Sequence, residues 1–188
     1  MKETEITVQV FNSFDEISNI LTSKGFSLIE SYHMTDWYFS KFDDVSNLDY
    51  AELISNSFLV RHRDDGKYMC LCYKKKEIDS NGNVIVEEQF RANTPDTLTA
   101  VKIFKDVGLN NYCVVENQSY IYGNKEFSFA IQCITNLGIF LEFEEEESMK
   151  DMNEKEKFDC MVSIVNSLGL KLGKDYSCKK VFMLLHKK

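Results

Sequence analysis

Glu3-Thr4-Glu5-Ile6-Thr7-Val8-Gln9-Val10 keeps a period of two from end to end. Such alternation marks a β-strand. Glu3, Glu5, Thr7 and Gln9 fall on one face, and Thr4, Ile6, Val8 and Val10 on the other. Near the other end of the chain, Leu137-Gly138-Ile139-Phe140-Leu141-Glu142-Phe143-Glu144 keeps the same period, with Glu142 and Glu144 opposite Leu141 and Phe143. Two strands therefore carry paired acids on one side and core-forming residues on the other.

The strands between them repeat the arrangement with basic residues. Ser57 to Arg63 places Arg61 and Arg63 opposite Phe58 and Val60, and Lys67 to Lys74 follows across the turn Asp64-Asp65-Gly66. Cys70, Cys72, Lys74 and Lys76 lie opposite Met69, Leu71 and Tyr73. Further strands are predicted over 26–40, 84–90, 112–122 and 126–134, the last two joined at Gly123-Asn124. Helices are predicted after the capping residues Asn12 and Ser13 and after Thr94-Pro95-Asp96. From Ser148 on, a charged helix start leads into Phe158, Met161, Val162, Ile164, Val165 and Leu168 at helical spacing, and a last helical segment covers 176–185.

The 188 residues suit one domain, 1–188, with 148–188 as its C-terminal helical part. Hydrophobic residues at 44% and charged ones at 28% exclude a disordered or fibrous chain. With 14 Phe, 9 Tyr and only one Pro, the composition favours sheet. A net charge of −8 argues against nucleic acid or an anionic membrane as partner. The most apolar window, 127–143, contains Ser128, Gln132, Thr135, Asn136 and Glu142 and is too polar to span a bilayer. The start Met1-Lys2-Glu3-Thr4-Glu5 is acidic where a secretory signal is basic and then apolar, so a cytoplasmic protein with six reduced cysteines is expected.

Period-two patterning gives each strand two faces without saying which is inside. One reading is a one-sided antiparallel sheet whose polar face meets water. The other curls the sheet into a barrel with polar faces inward and amphipathic helices over the apolar outside, which also removes the edge strands.

Glu3-x-Glu5, Leu59-x-Arg61-x-Arg63, Tyr73-Lys74, Glu87-Glu88 and Leu137-Gly-x-Phe-x-Glu142-x-Glu144 come in the order and approximate spacing of the CYTH family. Asp36-x-Tyr38-Phe39 resembles that family's second-strand segment, and 176–185 its terminal helix. The family, also called triphosphate tunnel metalloenzymes, includes class IV adenylyl cyclases, thiamine triphosphatases and inorganic triphosphatases. The resemblance implies an α+β fold, a closed eight-stranded antiparallel β-barrel with helices packed outside. It implies Mg2+ or Mn2+ held by Glu3, Glu5, Glu142 and Glu144, because hard cations take carboxylate oxygens. It implies polyphosphate or nucleotide contacts from Arg61, Arg63, Lys74 and Lys76, and catalytic roles for Glu3, Glu5, Lys74 and Glu88. The implied activity is metal-dependent hydrolysis of an inorganic or organic triphosphate. The alternatives are a catalytically reduced triphosphate- or nucleotide-binding protein and a class IV adenylyl cyclase, in each case a monomer or homodimer.

The sequence departs from the family pattern at basic positions. Thr7 stands where Glu-x-Glu-x-Lys has its lysine, Val86 precedes the fifth-strand acids, Glu116 and Gln118 stand for Lys-x-Arg, and Gln132 replaces an acid. Lys76 or Lys125 is the expected substitute cation. His33, His62 and His186 are scattered, and His62 alternates with Arg61 and Arg63, so it is expected to point away from them. Trp37, Tyr38 and Phe39 are expected as core or rim aromatics, and Glu145 and Glu147 as solvated.

Overall fold

The computed structural model describes residues 4–49, 52–53, 56–78 and 84–187. The alternating stretches form strands β1 (Glu5–Val10), β2 (Ser27–Ser40), β3 (Asn56–Arg63), β4 (Cys70–Ile78), β5 (Val84–Asn93), β6 (Asn110–Gly123), β7 (Ser128–Ile134) and β8 (Gly138–Glu144). Helices α1 (Phe14–Ser23), α2 (Thr97–Asp106), α3 (Glu154–Ser167) and α4 (Lys180–Leu185) accompany them. One eight-stranded sheet results, in the order β1-β8-β7-β6-β2-β3-β4-β5. Every ladder whose register is described is antiparallel. The fold is α+β.

Packing divides the chain into two compact units. Most of the first is His33–Glu116, and the second combines Asn117–Met183 with the described part of Glu3–Tyr32. In the second unit, Ile6, Val8, Leu141, Phe143, Phe129 and Ile131 form the apolar face of the sheet and are buried with Ile17 and Leu21 of α1 and Met161 and Val165 of α3. Burying each such side chain contributes about 1.5–3 kcal/mol. Both helices begin on capping boxes, Ser13 with Glu16 and Asn153 with Glu156, which satisfy amide groups left over at a helix start. In the first unit, Phe39 and Val60 pack against Ala100 and Val101 of α2, with Trp37, Phe58, Leu71 and Phe104 around them. In each unit, then, the helices cover the apolar face.

Two expectations change here. The sheet is not closed into a barrel by hydrogen bonds, because β1 and β5 end the order and no ladder joins them among the described residues. The outer edge of β1 is used otherwise. The Thr7 amide donates to the Tyr176 carbonyl at 2.9 Å, Cys178 donates to Thr7 at 3.0 Å, Gly173 to Gln9 at 2.8 Å, and Phe11 to Lys171 at 2.8 Å. An edge whose donors and acceptors are satisfied this way has no ladder left to offer another strand. Correspondingly, 171–178 is an extended strap, and the helix expected over 176–185 starts only at Lys180 as α4. No helix of the described residues is long and apolar enough to cross a membrane.

Candidate functional site

Alternation and register together assemble the acids. β1 pairs β8 with Glu5 opposite Glu144 and Thr7 opposite Glu142. Like charges directly opposite each other on a sheet are destabilising, yet oxygens of Glu5, Glu142 and Glu144 lie within 4.8 Å of one another. Around them the same face carries Thr7, Ser119 and Gln132, all buried, through the registers Ser119–Gln132 and Gln132–Phe140. Ser119 Oγ donates to Asn117 Oδ1 at 2.8 Å. Glu3 lies outside the described residues.

A cation that the sequence reading missed sits on this face. Lys180, the first residue of α4, donates from Nζ to Gln132 Oε1 at 2.7 Å and to Glu142 Oε2 at 2.5 Å. The only signal in the sequence was a lysine in the terminal segment. Of the substitutes named from the sequence, Lys125 is in the β6–β7 loop, and the Lys76 side chain lies outside the described residues.

Strand β6 supplies this face with Asn117 and Ser119, not Glu116 and Gln118. Glu116 is exposed, and Gln118 donates to the Tyr32 carbonyl at 3.1 Å. The shift is one residue, which on a strand moves every side chain to the other face. Counting back from the hairpin, where Gly123 pairs Ser128 and Ser119 pairs Gln132, recovers the right parity. Glu145 is likewise not simply solvated: its carboxylate pairs with Lys157 at 2.9 Å and accepts the Thr4 amide at 3.0 Å.

In the first unit, the face away from α2 carries Asp36, Arg61, Cys70 and Asn93 in one cross-strand row, and Tyr38, Leu59, Cys72 and Arg91 in the next. Lys74 pairs Ser57 on the same face, four residues or about 13 Å along the strand from the Arg61 row. The Arg61 guanidinium grips Asp36 with both prongs, Nε to Oδ1 at 2.8 Å and Nη2 to Oδ2 at 2.7 Å. Burial opposes the charge on Arg61, but the Asp36 carboxylate more than offsets it and pushes the group's pKa up. Arg63, 6% exposed, reaches Asp65 at 3.0 Å and lies over the Tyr68 ring, 5.3 Å from its centroid.

Asp36 is the second residue missed. A carboxylate inside the aromatic run Asp36-Trp37-Tyr38-Phe39 was the available signal. Glu88 is placed off this face: it pairs Lys75, on the side of the stacked rings Tyr73 and Phe90, and is exposed. His62 faces α2, with Nδ1 3.1 Å from Thr97 Oγ1. All six cysteines are free thiols, and burial pushes Cys70 up and Cys113 up to about 11.

No family model matches the chain, and no curated protein matches it. Its fold is shared. The PH1819 protein of Pyrococcus horikoshii is 18% identical, with 98% of this chain and 100% of that one covered and a TM-score of 0.68. A Vibrio parahaemolyticus protein named as a putative adenylate cyclase is 14% identical, over 97% and 98% of the two chains, with a TM-score of 0.61. A chain of the Schizosaccharomyces pombe Mediator head module is 8% identical over 92% and 98%, with a TM-score of 0.58. At these identities the likeness establishes fold alone.

Proposed function

We propose that this chain is a metal-dependent phosphohydrolase acting on an inorganic or organic triphosphate. One observation carries the reading, the cluster of Glu5, Glu142 and Glu144 held together by the β1–β8 register. Three carboxylates with no thiol or imidazole form a donor set for a hard cation such as Mg2+ or Mn2+. Three ligand oxygens on such an ion stand roughly 3–4.2 Å apart, so these side chains, within 4.8 Å of one another, would close up on binding it. Bound there, the ion would offset phosphate charge and activate water. In the first unit, Arg61, Arg63 and Lys74 are phosphate contacts only by resemblance to the CYTH family and by the preference of guanidinium forks for such groups, and the metal reading rests on the second unit by itself.

A second reading is a catalytically reduced chain that binds a phosphorylated ligand without turnover; with its guanidinium held by Asp36, Arg61 is one cation fewer for a developing phosphate charge unless Asp36 lets go. Phosphate release from tripolyphosphate in the presence of Mn2+ decides between them. The hydrolase reading predicts release that Glu142→Gln reduces by about 100-fold or more, given what single groups on a charged transition state contribute. Stabilisation by the pair of ligands without release would replace hydrolysis by binding, and cyclic AMP formed from ATP would replace it by the cyclase chemistry named for the Vibrio neighbour.

A further inference from the structure

The strap ends on the acid cluster. Residues 171–178 are fixed along β1 by backbone bonds at Phe11, Gln9 and Thr7, and by Asn12 Oδ1, which accepts the Lys171 amide at 2.6 Å. The Asp175 carboxylate accepts the Ser177 amide at 2.8 Å and turns the chain toward α4. Lys180 is thereby delivered to Glu142 and Gln132, with its own side chain 22% exposed and that of Glu142 18%.

An ammonium at 2.5 Å from a Glu142 oxygen and a divalent ion at roughly 2.1 Å from the same carboxylate would stand about 4 Å apart. Two cations that close repel, and a half-buried setting weakens the screening. Lys180 also brings to Glu142, one of the three carboxylates, one of the two positive charges that the ion would bring.

We propose that the strap is a built-in competitor: Lys180 is the internal cation of the Glu5–Glu142–Glu144 cluster, and its docking and the binding of a divalent cation exclude one another. This rests on reading the cluster as a metal site. The coupling is reciprocal, so the ion loosens the strap by the factor by which the strap weakens the ion. Metal loading and release of the C-terminal strap then become one event.

The test uses the full chain and Mn2+ alone. Amide exchange at Gly173 and Cys178, whose N–H groups bond to Gln9 and Thr7, is measured with and without the ion, and Mn2+ affinity is compared between wild type, Lys180→Arg and Lys180→Met. Faster exchange on adding Mn2+, and about tenfold tighter binding by Lys180→Met with Lys180→Arg near wild type, is the expected result. Equal affinities with unchanged or increased protection would overturn the strap competition and leave the metal site standing. Absence of binding in every chain would overturn both. The exchange measurement needs no variant, so it decides even where Lys180→Met fails to fold.

Discussion

Asp36 and Arg61 show how a single pair sets the chemistry of a face. The Asp36 side chain is 5% exposed and is paired with the Arg61 guanidinium across the ladder. Arg61→Met should cost about 3 kcal/mol or more in chemical denaturation, because it leaves a buried carboxylate without its partner. Adding Asp36→Asn to that variant should recover most of the loss. Independent costs in the double variant would mean that the pair is not coupled. Beside them, burial and then the Asp36 charge push the Tyr38 hydroxyl well above the usual tyrosine range. The unfolded chain therefore loses this proton first, from about pH 10 upward, and it binds fewer protons than the native state there. Stability should fall as pH rises through that window, and Tyr38→Phe should flatten the fall. An identical slope in the variant would assign the alkaline loss to other groups.

At the scale of elements, the capping boxes and the period-two stretches were legible because each is a local pattern with a local cause. Ser13 accepts the Glu16 amide while Glu16 accepts that of Ser13, a reciprocal bond that any chain starting a helix on these residues can make. Ser13→Ala should lower stability by about 1 kcal/mol in urea denaturation. No change would mean that the packing of Ile17 and Leu21 alone holds α1. The strap was not legible. Leu170, Leu172 and Tyr176 are spaced in a way that helix and extended chain both tolerate, and it is the unsatisfied edge of β1 that selects the extended form. The β6 face was misread for a related reason. Matching Glu116 and Gln118 to a pattern ignored the hairpin at Gly123, which fixes register and sends Asn117 and Ser119 to the face of Gln132 instead.

Across the whole molecule, strand count, antiparallel pairing and the choice of which face the helices cover followed from the pattern of apolar residues. Ile6, Val8, Leu141 and Phe143 have no other way to leave water. Closure did not follow, since it depends on which partner reaches the β1 edge first in energy, and a strap 160 residues away in sequence is invisible to periodicity. The acid cluster was half legible: Glu142 and Glu144 shared a face from sequence alone, but their meeting with Glu5 is a fact of register. Glu5 stands opposite Glu144, and under the proposed metal binding a cation would offset the repulsion between the two carboxylates.

That relief is open to direct measurement by titrating Mn2+ into the wild-type chain and the Glu5→Gln/Glu144→Gln double variant by calorimetry. Saturable binding by wild type that weakens at least about tenfold in the double variant, which also becomes the more heat-stable of the two in metal-free buffer, is the result predicted. Equal binding by both chains, or none by wild type at millimolar Mn2+, would contradict it.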